Sequence, residues 1–458
     1  MRHRHASLIV MLFGYRHARA LVSDSSRMAA KIAIVGGGIS GSCAAAALAS
    51  EAEVTVFDQG RRGPGGRASH RSVRASDKQI IEDDVSLSHN TKSTYEFDHG
   101  CQFFRADSEE MKRIVSQWRE RVWVAPWEGS FGFLPAGKSD AFDFFGIASE
   151  SSPVYIALGG MHQLPRRLLQ SSRAAVEKGT RVCQIKRKDN QWELFGATGN
   201  QAYHDTNEAT TDLASLGVYD AVVLTDISSA SGDWHRASAG IPDELFQHLP
   251  KKVRMPLFSC MIAFEKVCRV CLCSSLSMTP LTGCLLHEAY SPFDSTRCLW
   301  FSSDGPECWT LISTPSYALQ EITQDRETGA FKPQQNDYLN TVPGPTLFNA
   351  FLQTVQSFLT EQPNVVYMQA QRWGSGLPVA EELCDDIHHV AGDRFAAKLN
   401  KPLVHEVTDS GRDFVADDDL RLYYAGDFCS NRCPGFEAAA LSGFHVAAHI
   451  KDKFVEKG

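Results

Sequence analysis

The chain has 458 residues, 43% hydrophobic and 22% charged, with a formal net charge of −8; this allows a large core in two or three domains of roughly 100–200 residues and argues against a broad nucleic-acid surface. No apolar run reaches the roughly 20 residues of a membrane-spanning helix. The 13 cysteines form no paired CxxC set, and Cys268, Cys271 and Cys273 have no His or Cys partner at metal spacing, so free thiols and no metal site are expected.

Residues 1–27 carry Arg2, Arg4, Arg16, Arg19 and Arg27 around an apolar stretch, Ser7 to Tyr15, and Ala18-Arg19-Ala20 fits a small-x-small cleavage site. A secretory signal and an Arg-rich transit peptide to plastid or mitochondrion both fit. A start at Met28, with a cytoplasmic protein, is the other reading. Next comes an apolar strand, Lys31–Val35, then Gly36-Gly37-Gly38-Ile39-Ser40-Gly41, an alanine-rich helix over Ser42–Ser50 and a second strand, Glu53–Asp58. Together they predict a βαβ unit.

Further strands are predicted at Arg181–Lys186, Gln191–Phe195, Asp220–Thr225, Val253–Phe264 and Cys308–Ser313. Helical spacing covers Ser108–Val122, Gly160–Lys178, Leu347–Leu359 and Glu437–Phe454. The polar stretches Asp84–Thr94, His204–Leu216 and Thr323–Pro345 read as surface loops. Motif-bearing segments lie near both ends of the chain. A compact site therefore requires a domain assembled from distant pieces, with another inserted between them.

Four motifs carry the chemistry. In Gly36-x-Gly38-x-x-Gly41 the glycines permit a tight turn, close approach of a pyrophosphate and close helix packing, and the helix N-terminus faces the phosphates. Asp58 lies 20 residues beyond Gly38, the spacing of a carboxylate that accepts ribose hydroxyls. In Gly65-Gly66-Arg67-Ala68-Ser69-His70-Arg71 the glycines let the chain pass close to a cofactor, and Arg67 offers charge-assisted hydrogen bonds to phosphate or ribose oxygens. The third motif is Phe97-Asp98-His99-Gly100-Cys101-Gln102-Phe103-Phe104. The fourth is Ala425-Gly426-Asp427-Phe428-Cys429 followed by Gly435-Phe436-Glu437-Ala438. There Asp427 can bond a ribityl chain, and the helix N-terminus can face the flavin edge that becomes negative on reduction.

Together with Leu158-Gly159-Gly160-Met161-His162-Gln163-Leu164-Pro165 and Gln371-Arg372-Trp373-Gly374-Ser375-Gly376-Leu377-Pro378, these motifs resemble the renalase-like branch of the flavin amine oxidase superfamily, from about Lys31 to the C-terminus apart from the inserts. The resemblance implies an α/β FAD/NAD(P)-binding domain of Rossmann type and an α+β second domain, whose antiparallel sheet carries the substrate side. It suggests a discontinuous FAD-binding domain over 28–105, 155–240 and 365–458, with the substrate domain over 106–154 and 241–364. FAD would be bound without a covalent link, since nothing matches the family's covalent cysteine motif. Gly36, Gly38, Ile39, Ser40, Gly41, Asp58, Gly66 and Arg67 would hold the ADP half, and Val182 would contact the adenine side. Gly426, Asp427, Glu437 and Ala438 would lie along the ribityl chain and pyrimidine, with the Glu437 carboxylate pointing away. Trp373 would lie near the isoalloxazine, and His99, Gln371 and Arg372 are candidates for the substrate wall.

Departures from the family are Gln371 where relatives often have His, Ala438 where they often have Gly, and Thr225-Asp226 where they commonly have Ala and a proline. The implied activity is hydride transfer from a small donor, a dihydronicotinamide isomer, to flavin N5, with reoxidation by O2 to hydrogen peroxide. Amine oxidation or isoprenoid desaturation is the alternative within that class. A flavin-binding redox-sensing or interaction protein with little turnover is the alternative outside it. No residue emerges as catalytic.

Overall fold

In the computed structural model, strand β1 (Lys31–Val35) lies in the middle of a six-stranded sheet, with Ile32, Ala33 and Ile34 wholly buried. An apolar run without alternation suits a strand covered on both faces. The structure describes residues 29–81, 94–127, 153–199, 213–265, 282–288, 307–313, 317–318, 321–322, 336–355, 362–380, 412–432 and 434–455. The sheet order is β17 (Phe414–Asp417), β18 (Leu422–Ala425), β12 (Ala221–Leu224), β1, β2 (Glu53–Asp58), β8 (Ala175–Lys178). Every pairing in it is parallel except β17 with β18.

One face of this sheet carries α1 (Ile39–Leu48), α3 (Gln163–Ser171) and α8 (Phe436–Ile450). α1 and α8 touch because Gly443 has no side chain: a Cβ there would lie 2.2 Å from the Ser40 carbonyl oxygen. The other face packs on a three-stranded antiparallel sheet in the order β11 (Ala214–Tyr219), β10 (Gln191–Thr198), β9 (Thr180–Lys188), through Val182, Ile185, Trp192 and Leu194. The short helices α4 (Gly232–Ala237) and α5 (Asp243–Gln247) follow β12.

A second, four-stranded sheet is antiparallel throughout, in the order β14 (Thr282–Glu288), β15 (Glu307–Ser313), β13 (Lys252–Phe264), β16 (Val365–Ala380). Alternate side chains of β13 point to opposite faces. Phe258, Cys260, Ile262 and Phe264 pack on Leu347 and Phe351 of α7 (Pro343–Val355), next to α6 (Asn336–Thr341). Met261 and Ala263 pack on the ribbon of β3 (His70–Arg74) and β4 (Thr94–Asp98), through Val73, Tyr95 and Phe97. A small sheet of β5 (Phe104–Arg105), β7 (Val154–Ala157) and β6 (Val124–Pro126) lies beside α2 (Glu109–Glu120). No helix among the described residues is long and apolar enough to cross a membrane.

The predicted strands all form. Three expectations change. The helix over Gly160–Lys178 stops at Ser171, where the Ser171 and Ser172 hydroxyls turn back onto the Leu168 and Leu169 carbonyls, and Ala175–Lys178 is an edge strand beside β2. In the polar stretches, residues 84–93, 204–212 and 323–335 lie outside the described residues, but Thr94 opens β4, Ala214–Tyr219 pairs with β10 and Asn336–Thr341 is helical. The helix read over Leu347–Leu359 begins at Pro343, a residue suited to a first turn, and 356–361 lie outside the described residues.

Two long-range contacts cross between segments. Val365–Ala380 pairs with β13 rather than with the six-stranded sheet, and the buried face of α2 (Met111, Ile114, Val115, Trp118) joins the cluster over that first sheet. Both follow long-range packing that no local pattern encodes.

Candidate functional site

The turn after β1 is built from the backbone. Gly36 has φ +107°, and a Cβ at Gly41 would lie 1.9 Å from the Gly36 carbonyl oxygen, so α1 starts hard against the turn. The Thr225 hydroxyl donates to the Val35 and Gly36 carbonyls at 2.8 and 3.1 Å and closes the turn from β12. The Thr225-Asp226 departure thus acquires a local role. Gly38 caps α1 without a side-chain hydrogen bond, leaving the helix's first N–H groups facing outward. Above Gly38 the space is open: a Cβ there would meet only the Gly66 Cα, at 3.9 Å. Gly66 has φ +54°, and its own Cβ would lie 3.1 Å from the Gly38 Cα. Ser40, in the first turn of α1, is buried, and its Oγ has no partner among the described residues.

Asp58 is buried at the end of β2 and accepts from the Gly37 and Gly60 N–H groups, at 2.8 Å each. Burial raises its pKa, and the two backbone hydrogen bonds oppose that shift. The carboxylate thus fixes the turn and retains lone pairs for another donor. Val182 is less available: its side chain is buried in the core with Phe57, so the main chain of β9 is what remains for a ligand.

The second and fourth motifs meet. Arg67 donates from Nη1 and Nη2 to the two oxygens of Asp427 at 2.8 and 2.6 Å, and from Nη1 to the Gly376 carbonyl at 3.2 Å. Arg67 and Asp427, expected to serve separate parts of the cofactor, therefore hold each other. Asp427 is 1% exposed, and a carboxylate so buried requires a cation. Gly426 donates to the Ser442 hydroxyl at 2.7 Å, which ties the motif to α8. The Glu437 carboxylate accepts from the Asp107 and Ser108 N–H groups at 2.6 and 3.0 Å, just ahead of α2. Only the backbone of Glu437 and of the buried Ala438 remains at the α8 N-terminus.

Facing these elements is one side of β16. Strand alternation puts Tyr367, Gln369, Gln371 and Trp373 on the same face. The Trp373 indole donates to the His99 carbonyl and the Ser259 hydroxyl at 3.1 Å each, and its ring stacks on His99 at 5.3 Å. His99 is buried. Desolvation first, then the nearby Arg71 and His70, push its pKa well below the ordinary value, so it is neutral. Gln371 accepts from Arg71 Nη2 at 3.2 Å. Arg372 is opposite Phe258 in register and turns to the other face, away from His99. Of the three wall candidates, His99 and Gln371 share this wall and Arg372 does not.

Sequence reasoning missed Arg71, Gln369 and Ser259, all brought in by contacts across long stretches of chain. It also missed the use of His70, which bonds Asp98 through Nδ1 at 2.8 Å and Glu96 through Nε2 at 2.7 Å and stacks on His162. Burial opposes the charge on His70, but the two carboxylates outweigh it and raise its pKa well above the usual value. His70, Asp98 and His162 come within 4.8 Å of one another, but both ring nitrogens of His70 are committed to carboxylates.

Known proteins share parts of this architecture. Residues 34–118 match the model of the NAD(P)-binding Rossmann-like domain. Over nearly its whole length the chain resembles a solved structure assigned as a protoporphyrinogen oxidase, from Exiguobacterium sp. 255-15, with TM-score 0.51 and 13% identity, covering 94% of this chain and 99% of that one. Cyclohexylamine oxidase from Brevibacterium oxydans IH-35A is also similar, with TM-score 0.49, 13% identity, and 93% and 99% coverage. The fold is a Rossmann-type dinucleotide-binding domain with added antiparallel sheets.

Proposed function

We propose that this protein is an FAD-dependent oxidoreductase of the flavin amine oxidase superfamily, within its renalase-like branch, and that it holds FAD without a covalent bond. The observation that carries this reading is the bidentate Arg67–Asp427 pair. It joins the glycine-rich motif after the βαβ unit to the C-terminal motif, two elements that a protein binding only NAD has no need to bring together.

The cradle fits the cofactor. The open space above Gly38, the unpartnered buried hydroxyl of Ser40 and the α1 N-terminus suit a pyrophosphate. Asp58 suits the adenosine ribose, and the remaining N–H groups of Arg67 suit phosphate or ribityl oxygens. The α8 N-terminus supplies positive dipole to the flavin edge. FAD, when bound, supplies the hydride acceptor and the transfer of electrons to O2 that yields hydrogen peroxide. Trp373, His99 and Gln371 orient the donor and exclude water. His99, being neutral, can hold or accept a hydrogen bond without adding charge. The donor we assign is a small dihydronicotinamide isomer. On this reading residues 28–105, 155–240 and the part of 365–458 after β16 hold the cofactor, while β13 to β16 form the donor side.

The test is purification without added ligand. The protein should be yellow, and denaturation should release FAD into the supernatant. Mixing with dihydronicotinamide isomers, amines or polyenes in a stopped-flow instrument then identifies the donor by the rate at which flavin absorbance bleaches. A colourless protein that cannot be reconstituted with FAD overturns the proposal.

A further inference from the structure

Arg71 is a buried cation whose hydrogen-bond partners among the described residues are all neutral. It lies in the middle of β3, 7% exposed. Its Nη1 donates to Gln369 Oε1 at 2.7 Å and its Nη2 to Gln371 Oε1 at 3.2 Å, and the Tyr367 hydroxyl lies beside it, donating to the same Gln369 oxygen at 2.6 Å. Its Nε–H has no partner among the described residues. No carboxylate among the described residues bonds it.

Two neighbouring cations have carboxylate partners. Arg67 has Asp427, and His70 has Asp98 and Glu96. Desolvating a guanidinium costs several kcal/mol, which amide oxygens repay only in part. The two glutamines take two of the five guanidinium N–H groups, and a planar fork with N–H groups to spare, Nε–H among them, suits bidentate recognition of carboxylate or phosphate. Gln369 and Gln371 also hold the fork in place from the strand face that carries Trp373, so the group is pre-positioned beside the wall.

We propose that Arg71 is the counter-charge for an anionic group, a phosphate or a carboxylate, on the donor molecule. This rests on the reading of the β16 face as the donor wall. It goes beyond that reading by restricting the donor: an uncharged amine or an isoprenoid has nothing to offer Arg71, whereas a nucleotide or an acid has.

The experiment is calorimetric titration of the purified protein with inorganic phosphate, with benzoate and with benzamide. Heat is read whether or not flavin is present, so failure here is separate from failure of the FAD assignment. Either phosphate or benzoate should bind, and which one does so tells phosphate from carboxylate. Benzamide, the neutral match of benzoate, should not bind. Arg71→Gln should weaken anion binding roughly ten-fold or more, as for a lost hydrogen bond to a charged group, with FAD content unchanged. Gln371→Glu should do the same with Arg71 intact, because the protein then supplies the missing anion itself. It should also raise thermal stability, which guards against misreading an unfolded Arg71→Gln protein. Four results overturn the proposal: no anion binding by the wild type, anion binding by Arg71→Gln as tight as the wild type's, undiminished binding by Gln371→Glu, or loss of FAD from a folded Arg71→Gln protein, which would make Arg71 a cofactor anchor.

Discussion

The cradle around Gly38 and the wall around Trp373 are built by opposite means. In the cradle, backbone does the work: Gly36, Gly38, Gly41 and Gly66 are there for what a Cβ would displace. In the wall, side chains do the work, and each is held by a partner far away in sequence: Arg71 by Gln369 and Gln371, Trp373 by His99 and Ser259. A backbone site tolerates almost no change of residue type at its glycines. A side-chain site can be retuned one residue at a time.

The largest expected effect breaks the cradle alone. Gly38→Val places its side chain in the open space above the turn, where protein atoms offer no clash closer than the Gly66 Cα. The fold should survive and FAD should be lost. Full flavin content in this variant would show that the turn is structural only. Gly443→Ala is the contrasting case. Its Cβ would press on the Ser40 carbonyl, so α8 must shift against α1 at a cost of roughly 1–3 kcal/mol. Denaturant titration should show that loss, and an unchanged midpoint would mean that the two helices are not in close contact.

Asp58→Ala sharpens the comparison, because this carboxylate serves both the turn and the ligand. It should weaken FAD binding by ~1–3 kcal/mol, the scale of a hydrogen bond to a charged group. Asp58→Asn, which can still accept from Gly37 or Gly60, should lose less. Equal losses in both variants would mean that the charge, and not the geometry of the turn, is what the cofactor reads.

The same contrast explains what could be read from sequence. The cradle was legible because a pyrophosphate turn demands glycine at fixed spacing, an apolar strand before it and a carboxylate at the end of the next strand. The parallel strands were legible because Ile32 to Val35 and Val222 to Leu224 are apolar without alternation. The wall was only half legible. Trp373, His99 and Gln371 stood out by resemblance, but nothing in the Gly65–Arg71 motif singled out Arg71, since its partners lie nearly 300 positions away. Arg372 was grouped with them because a motif written as a string does not show that neighbours in a strand face opposite ways. The edge strand at Ala175–Lys178 was missed because it exists only where β2 offers it a partner.

The smallest effect concerns a clamp that belongs to neither region but holds α8 in place. His445 of α8 lies 3.0 Å from Glu110 of α2 through Nε2 and 3.2 Å from Asp413 through Nδ1, and Arg432 also reaches Asp413, at 3.3 Å. Burial works against the charged ring, but the hydrogen bonds to Asp413 and Glu110 outweigh it and raise the pKa to about 9. The unfolded value lies near 6.5. A group whose folded pKa is raised contributes its full stabilisation below the unfolded value and loses it as pH rises through the folded one. His445→Gln should therefore be less stable than the wild type at pH 6, by roughly 1–2 kcal/mol once solvent screening of the partly exposed groups is allowed for. The gap should narrow between about pH 6.5 and about 9 and nearly close above that window. Urea midpoints measured across this range give the result directly. A gap that stays constant with pH would mean that the ring acts through packing alone, and that α8, and with it the N-terminus assigned to the flavin edge, is held by the contact of Gly443 with Ser40 rather than by charge.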